Sequence, residues 1–239
     1  MENIKIIRVL FFLILINPLF GDYPFKVGEK LIYDASFGSV DAANGALKVL
    51  SKELINDIMT YHVQFTAKSK GLINYLFPIN DQIDIWLNES SLLPIKVLSN
   101  IQEGQYQKKR ETFLYHNYGY AITDGDTVEI DDSIHSPYSL FYFFRNQELL
   151  KMGGTIIKTI QGKKISPLKL KIEENIHGTV PAGKWSCFKV TPTMKEKKEF
   201  KNQATMSILF SDDENRYPIK IRMNLKYGSL TLKLKQIIN

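Results

Sequence analysis

The chain has 239 residues, of which 44% are hydrophobic, 12% aromatic and 23% charged, with a formal net charge of +6. That is enough apolar material to bury roughly 70% of the surface an unfolded chain exposes, and it excludes intrinsic disorder for most of the length. A single cysteine, Cys187, excludes an internal disulfide and any multi-cysteine zinc centre.

Residues 1–21 read as a secretory signal. Lys5 and Arg8 give a positive start, residues 9–16 form an apolar run too short to span a bilayer comfortably, Asn17 and Pro18 break it, and Gly21 offers a small residue for cleavage. The expected product is a single β-rich domain over residues 22–239, periplasmic or otherwise exported. It is mildly basic, because losing Lys5, Arg8 and Glu2 leaves a net charge of +5. No cysteine follows the run to carry a lipid, and nothing after residue 22 approaches membrane-spanning length. The basic excess fits a solvated face or attraction to an anionic envelope surface. It lacks the Arg-rich, aromatic-interleaved runs that nucleic acid would need.

Period-two alternation dominates the rest. In residues 30–37, Leu31, Tyr33, Ala35 and Phe37 share one face, and in residues 61–68, after an Asn56-Asp57 turn, Tyr61, Val63, Phe65 and Ala67 do the same. Further strands are expected at 83–87, 95–101, 105–115, 118–123 and 127–130, with a tight hairpin at Asp124-Gly125. The pattern resumes at 155–160, 167–176, 185–192 and 204–210. It ends in a hairpin whose first strand presents Ile219, Ile221, Met223, Leu225 and Tyr227, and which reverses at Gly228-Ser229 into Leu230, Leu232 and Leu234. Such half-wet strands need antiparallel pairing.

One segment breaks the rhythm. Residues 136–150 open with Ser136 and Pro137 and then run through Leu140, Phe141, Phe143, Phe144 and Leu149 without turn residues, which predicts one helix. Aromatics on more than one side call for cover all round, so the helix should pack into the concave face of a curved sheet. Arg145 on it reads either as a charge paired with a carboxylate or as an anchor for an anionic ligand group. A weaker helical turn is expected at 71–77. There is also an internal echo. A strand, a polar turn and Leu93-Pro94-Ile95-Lys96 recur as a strand, a polar turn and Tyr217-Pro218-Ile219-Lys220, which fits two related halves or the ordinary chemistry of hairpins.

Chemistry is sparse. There is no Gly-x-Ser-x-Gly elbow, and the four histidines fall in separate segments without metal-binding spacing. Asp131, Asp132 and His135 form the one acid and histidine cluster, at the entry to the helix. The pairs Asp81/Asp84 and Asp212/Asp213 lie in or beside turns, where acids are routine. No catalytic residue, metal or cofactor is assigned, and the chain is expected not to be an enzyme. The aromatic inventory of Phe37, Phe65, Tyr75, Phe77, Trp86 and Phe141 to Phe144 either forms the core or leaves an apolar cavity.

These segments resemble the bacterial exported family called domain of unknown function 3108. The matching stretches are Phe25, Gly28, Glu29, Leu31 and Tyr33; Gly45, Ala46 and Leu47; Ser136 through Arg145; Pro181, Gly183, Cys187, Phe188 and Val190; and Ser211, Asp212 and Asp213 with Arg216, Pro218 and Ile219. The resemblance implies an exported β-rich envelope protein without an established activity. The hairpins are also similar to those of periplasmic lipoprotein-localisation carriers, a likeness at fold level. The resulting expectation is an all-β, mainly antiparallel sheet curved into a barrel or half-barrel, with the helix on its concave side. It would bind an apolar ligand or lipid through Phe37, Phe65, Trp86, Phe141, Phe144 and Arg145. The alternative is an interaction module for envelope assembly that carries no cargo and docks an envelope protein partner.

Overall fold

A computed structural model describes residues 23–194, 205–225 and 228–239. The signal expected at residues 1–21 lies outside the described residues. The strands are β1 (Lys30–Phe37), β2 (Val40–Ile55), β3 (Ile58–Ser69), β4 (Asn80–Asn88), β5 (Pro94–Glu103), β6 (Tyr106–Tyr115), β7 (Tyr120–Thr123) and β8 (Asp126–Glu129). They continue as β9 (Ile156–Gln161), β10 (Lys164–Val180), β11 (Gly183–Met194), β12 (Thr205–Ser211), β13 (Pro218–Leu225) and β14 (Gly228–Ile238). All fourteen join one sheet in the order β8-β7-β6-β5-β4-β3-β2-β1-β14-β13-β12-β11-β10-β9, and every pairing is antiparallel. Two meanders are therefore stitched together by the ladder between β1 and β14.

The local chemistry explains the turns. Asn56-Asp57 and Asp124-Gly125 both hold two successive residues at positive φ, 47° and 63° in the first and 52° and 88° in the second. That is the mirror-image turn whose twist suits a two-residue hairpin, and Asn, Asp and Gly tolerate it best. Gly228 and Ser229 already pair with Leu225 and Asn224, so they begin β14 and do not form the reversal. The strand β2 has no clean alternation because Ala42 and Leu50 are extra residues at register shifts against β1 and β3. Space is tight at Gly45, where a Cβ would sit 3.2 Å from Leu232 Cδ2. The echoed prolines share a structural feature too. Pro94 pairs with Leu87 and Pro218 with Phe210, each at a register shift, where a missing N–H costs the ladder least.

The end strands β8 and β9 are not joined by a ladder. The segment after β8 fills the gap: the His135 N–H donates to the Lys158 carbonyl at 2.9 Å and the Ile160 N–H to the His135 carbonyl at 2.8 Å. Lys163 pairs with Asp126 at 2.6 Å, and Lys158 pairs with Asp131. Beneath them Leu114, Ala121, Ile130, Ile134 and Ile160 form a small core of their own. The sheet thus curls round into a barrel-like body whose seam is made by side chains and one connecting segment.

Inside the curl lies the segment expected as one helix over 136–150. It is shorter and more broken: a single turn of α-helix, α2 (Leu140–Phe143), followed by two 3-10 turns at Phe144–Asn146 and Leu149–Met152. Gln147 is extended, with φ −113° and ψ 150°, so the chain bends and returns Leu149 to the core. Aromatic residues are indifferent helix formers, and a helix this short has no stability of its own. Burial holds it instead: Leu140, Phe141, Tyr142 and Phe144 are all sequestered in the main core with Leu31, Tyr33, Val63, Ile83, Phe210 and Ile219. The expected weak turn at 71–77 is present as a six-residue helix, α1 (Gly71–Leu76), and none of its residues is buried.

Candidate functional site

Antiparallel connectivity gives the body two distinct ends. One carries the β2–β3, β4–β5, β10–β11 and β12–β13 turns and Arg145 of a plug, residues 136–154, whose first residues Ser136 to Tyr138 lie beside Gly162 towards the other end. The other carries the β1–β2, β3–β4, β5–β6 and β9–β10 turns and the tips of β11, β12, β13 and β14.

The plugged end is closed by Arg145. Its guanidinium donates to both oxygens of Glu29, Nη1 to Oε1 at 2.5 Å and Nη2 to Oε2 at 2.8 Å. Its Nε donates to the Asn215 carbonyl at 3.0 Å, and Nη2 also reaches the Pro24 carbonyl. The rings of Phe25 and Tyr217 stack about it at 5.5 and 5.2 Å. Arg145 is 2% exposed and Glu29 3%. Tyr33, also buried, donates its hydroxyl to the Pro218 carbonyl at 2.8 Å. With its charge, its planar fork and both faces occupied inside the protein, Arg145 matches the reading of a charge paired with a carboxylate. The stretches that carried the family resemblance converge here, with Phe25, Glu29 and Tyr33 meeting Arg145 and the loop before Pro218. Sequence reading quoted Glu29 and Arg145 in separate motifs. Arg145, a charge following the aromatic run Phe141 to Phe144, was the available signal that a buried carboxylate must answer it.

Of the other residues expected to line a cavity, Phe141 and Phe144 are packed in solid core. The space beside the plug amounts to about 30 Å³ lined by Ile83, Val97, Tyr138 and Ile160, on the scale of one water molecule. Trp86 faces the opposite way. It pairs across the strands with His62, stacks on that imidazole at 4.3 Å and 14°, and donates Nε1–H to Glu53 at 2.9 Å. His62 also contacts Glu53 at 3.1 Å and Asp84 at 2.9 Å. Burial works against its protonation, but hydrogen bonds to Asp84 and Glu53 outweigh it and raise the imidazole above its ordinary range. Ser51, opposite His62, donates its hydroxyl to Glu53 at 2.6 Å, and among the described residues no hydroxyl or thiol hydrogen-bonds the imidazole.

The remaining chemistry-bearing residues are accounted for locally. Burial pushes the Cys187 thiol up to about 11. Burial also lowers His135 to about 4, so that it stays neutral, with its ring 4.3 Å from Phe143. Among the described residues no group of three or more His, Cys, Asp or Glu could hold a metal ion. Asp81 and Asp84 lie on opposite faces of β4, and burial raises Asp81 to about 6 with help from Glu103. Asp213 accepts hydrogen bonds from Ser211 Oγ and from the N–H groups of Asn215 and Arg216, which makes it a turn residue.

Among the described residues, the inward face is less covered at the other end. The inward register runs from Leu47 to Phe65 to Ile83 and from Phe37 to Leu230 to Met223 to Met206. Towards the plug this face is fully buried. Towards the less covered end Met206, Met223 and Leu230, in one cross-strand row, are only half-buried, and Phe37 in the same row is 39% exposed at the lip. Phe65 also packs on Tyr138 of the plug at 5.3 Å. Of the six expected ligand residues, Phe37 stands in the row of Leu230, Phe65 stands in the row of Leu47 and Leu31, and the other four lie elsewhere. Around the rim α1 projects Leu72, Tyr75 and Leu76, followed by Phe77, over the β5–β6 turn, where Phe77 crowds Gly104. Sequence reading assigned Tyr75 and Phe77 to core or cavity. Their position between Gly71 and Pro78, outside any alternating run, was the signal that they stand apart.

The family model described as "Protein of unknown function (DUF3108)" matches residues 32–235. No curated protein matches. Among solved structures, the chain is similar to a beta-barrel-like protein of domain of unknown function DUF1849 from Brucella abortus. The TM-score is 0.56 at 10% identity, over 88% of this chain and 97% of that one. A protein described as "a putative lipoprotein" from Parabacteroides distasonis aligns over 90% and 97% of the two chains at 10% identity, with a TM-score of 0.43. The first likeness agrees with the curved antiparallel sheet.

Proposed function

The chain belongs to the DUF3108 family of proteins of unknown function, and from that premise we propose that it is an exported, non-enzymatic envelope protein that holds an apolar ligand, such as an acyl chain, in an apolar mouth at the less covered end of its barrel-like body. One observation carries this reading: the inward face passes from buried Ile208, Ile221 and Leu232 to half-buried Met206, Met223 and Leu230 one inward position further from the plugged end. Leaving that much inward apolar surface partly wet costs about 25 cal/mol per Å², which an acyl chain laid against it would recover. Methionine supports the reading because its unbranched, polarizable side chain adapts to ligands of variable shape. Export is supported by the amino-terminal signal pattern, and the non-enzymatic reading by the local roles found for Cys187, His62, His135 and the paired carboxylates.

The test is a native mass spectrum and lipid extract of the purified protein, with titration of a fluorescent fatty-acid probe. A bound acyl species, or saturable probe binding that weakens on Met223→Gln and Leu230→Gln but not on Trp86→Phe, is expected. A protein free of lipid that does not bind the probe overturns the cargo reading and leaves the assembly-module alternative.

A further inference from the structure

The rim carries a feature that the mouth alone does not require. Leu72 is 70% exposed, Tyr75 85%, Leu76 66% and Phe77 49%, on a six-residue helix that buries nothing of its own. Contiguous exposure of this kind is uncommon on a solvated surface and marks a contact site. The shape is a protrusion. The loop from Lys70 to Ile79 stands beyond the ends of β3 and β4, secured at its base by Ser69, whose Oγ donates to Asn74 Oδ1 at 2.7 Å and accepts from the Ile79 N–H at 2.8 Å. It is also held by Lys70, whose N–H donates to the Ala42 carbonyl at 2.9 Å, and by the β5–β6 turn, where the Gly104 N–H donates to the Pro78 carbonyl at 2.7 Å. A protein partner would have to supply a matching groove, whereas a bilayer accepts a protruding apolar knob of any outline.

The charge pattern agrees. Lys68 on β3 and Lys108 and Lys109 on β6 are exposed near the protrusion, Asp34 and Asp41 are paired with Lys70, and the other acids at its base, Asp81 and Glu103, are half-buried. Leucine with tyrosine and phenylalanine at the tip, and lysines behind them, is the division of labour that seats a segment in the interfacial layer of an anionic membrane.

We propose that α1 and Phe77 form a membrane-docking lip, which inserts Leu72, Tyr75, Leu76 and Phe77 into the headgroup and acyl boundary of an anionic bilayer and so presents the apolar mouth to lipid. The inference gives the proposed ligand site its source of acyl chains, and in that respect it rests on that reading.

The experiment places a reporter in the lip itself, using the full-length protein. Tyr75→Trp puts an indole at an 85% exposed position. Its emission is followed on adding phosphatidylethanolamine vesicles with and without phosphatidylglycerol, and with brominated acyl chains as quencher. The expected result is a blue shift and quenching that are stronger with phosphatidylglycerol. Adding Leu72→Ser and Leu76→Ser should reduce partitioning about tenfold while leaving the circular dichroism spectrum unchanged. Emission unaffected by any vesicle overturns the proposal. So does a concentration-dependent dimer, abolished by the two serine substitutions, in place of vesicle binding. Probe binding measured without vesicles reports on the mouth separately, so loss of docking with probe binding intact refutes the lip alone.

Discussion

Arg145→Met is the perturbation with the clearest expected consequence. The side chain is 2% exposed and answers the carboxylate of Glu29, itself 3% exposed, through two hydrogen bonds, while satisfying the Asn215 and Pro24 carbonyls. Methionine has the length to fill the slot between Phe25 and Tyr217, so little of the cost arises from a cavity. The cost is the carboxylate left behind, buried and uncompensated, which is worth about 3–5 kcal/mol. Against a total of about 5–15 kcal/mol this is a large fraction, and at about 2–4 °C per kcal/mol for a domain of this size it lowers the melting temperature by about 6–20 °C. Chemical denaturation with a two-state check, together with a thermal scan, measures it. Glu29→Leu combined with Arg145→Met should cost less than the sum of the two single variants, because neither charge is then left alone. If Arg145→Met falls within about 0.5 kcal/mol of the parent, or the two single costs simply add, the buried pair is not what closes this end. The acyl probe of the ligand test should bind folded Arg145→Met as well as the parent. A selective loss of affinity would return Arg145 to the ligand site.

Two further outcomes follow from the titrating groups. His62 is raised by Asp84 and Glu53, so its contribution to stability is complete below about pH 6.5, its unfolded value, and is lost as pH rises through the higher folded value. The carboxyls of Asp84 and Glu53 are lowered, and their contributions are present above about pH 4 and lost as pH falls through the folded values. Unfolding free energies measured from pH 5 to pH 9 should therefore decline more for the parent than for His62→Gln, and an imidazole resonance titrating below pH 6.5 would contradict the assignment. Cys187, buried at 1% exposure with its thiol raised to about 11, should resist iodoacetamide at pH 8 in the native protein and react fully in urea, and rapid native labelling detected by mass spectrometry would refute its burial.

The division between what the chain dictates locally and what the assembled protein decides follows the range of the interactions. Alternation is a nearest-neighbour property: Leu31, Tyr33 and Ala35 facing one way, or Ile219, Ile221 and Met223, is enough to call for half-buried antiparallel strands. The residues at Asn56-Asp57 and Asp124-Gly125 adopt the positive φ that two-residue hairpins demand whatever lies elsewhere. Strand class, most strand positions and the presence of an apolar plug are thus fixed by the chain alone. The ladder from β1 to β14, the seam where Lys158 and Lys163 meet Asp131 and Asp126, and the pairing of Arg145 with Glu29 across 116 positions of sequence depend on how the whole sheet curls. The fate of the aromatics was decided there too. An odd or even position in a strand says only that a ring shares a face with its neighbours. Which face is inside, as for Trp86, and whether the inside is solid, as at Phe144, or half-covered, as at Met223, depend on the depth at which each strand enters the barrel-like body. For the same reason the plug broke into short turns: burial from all sides, rather than helical propensity, sets the conformation of residues 136–154.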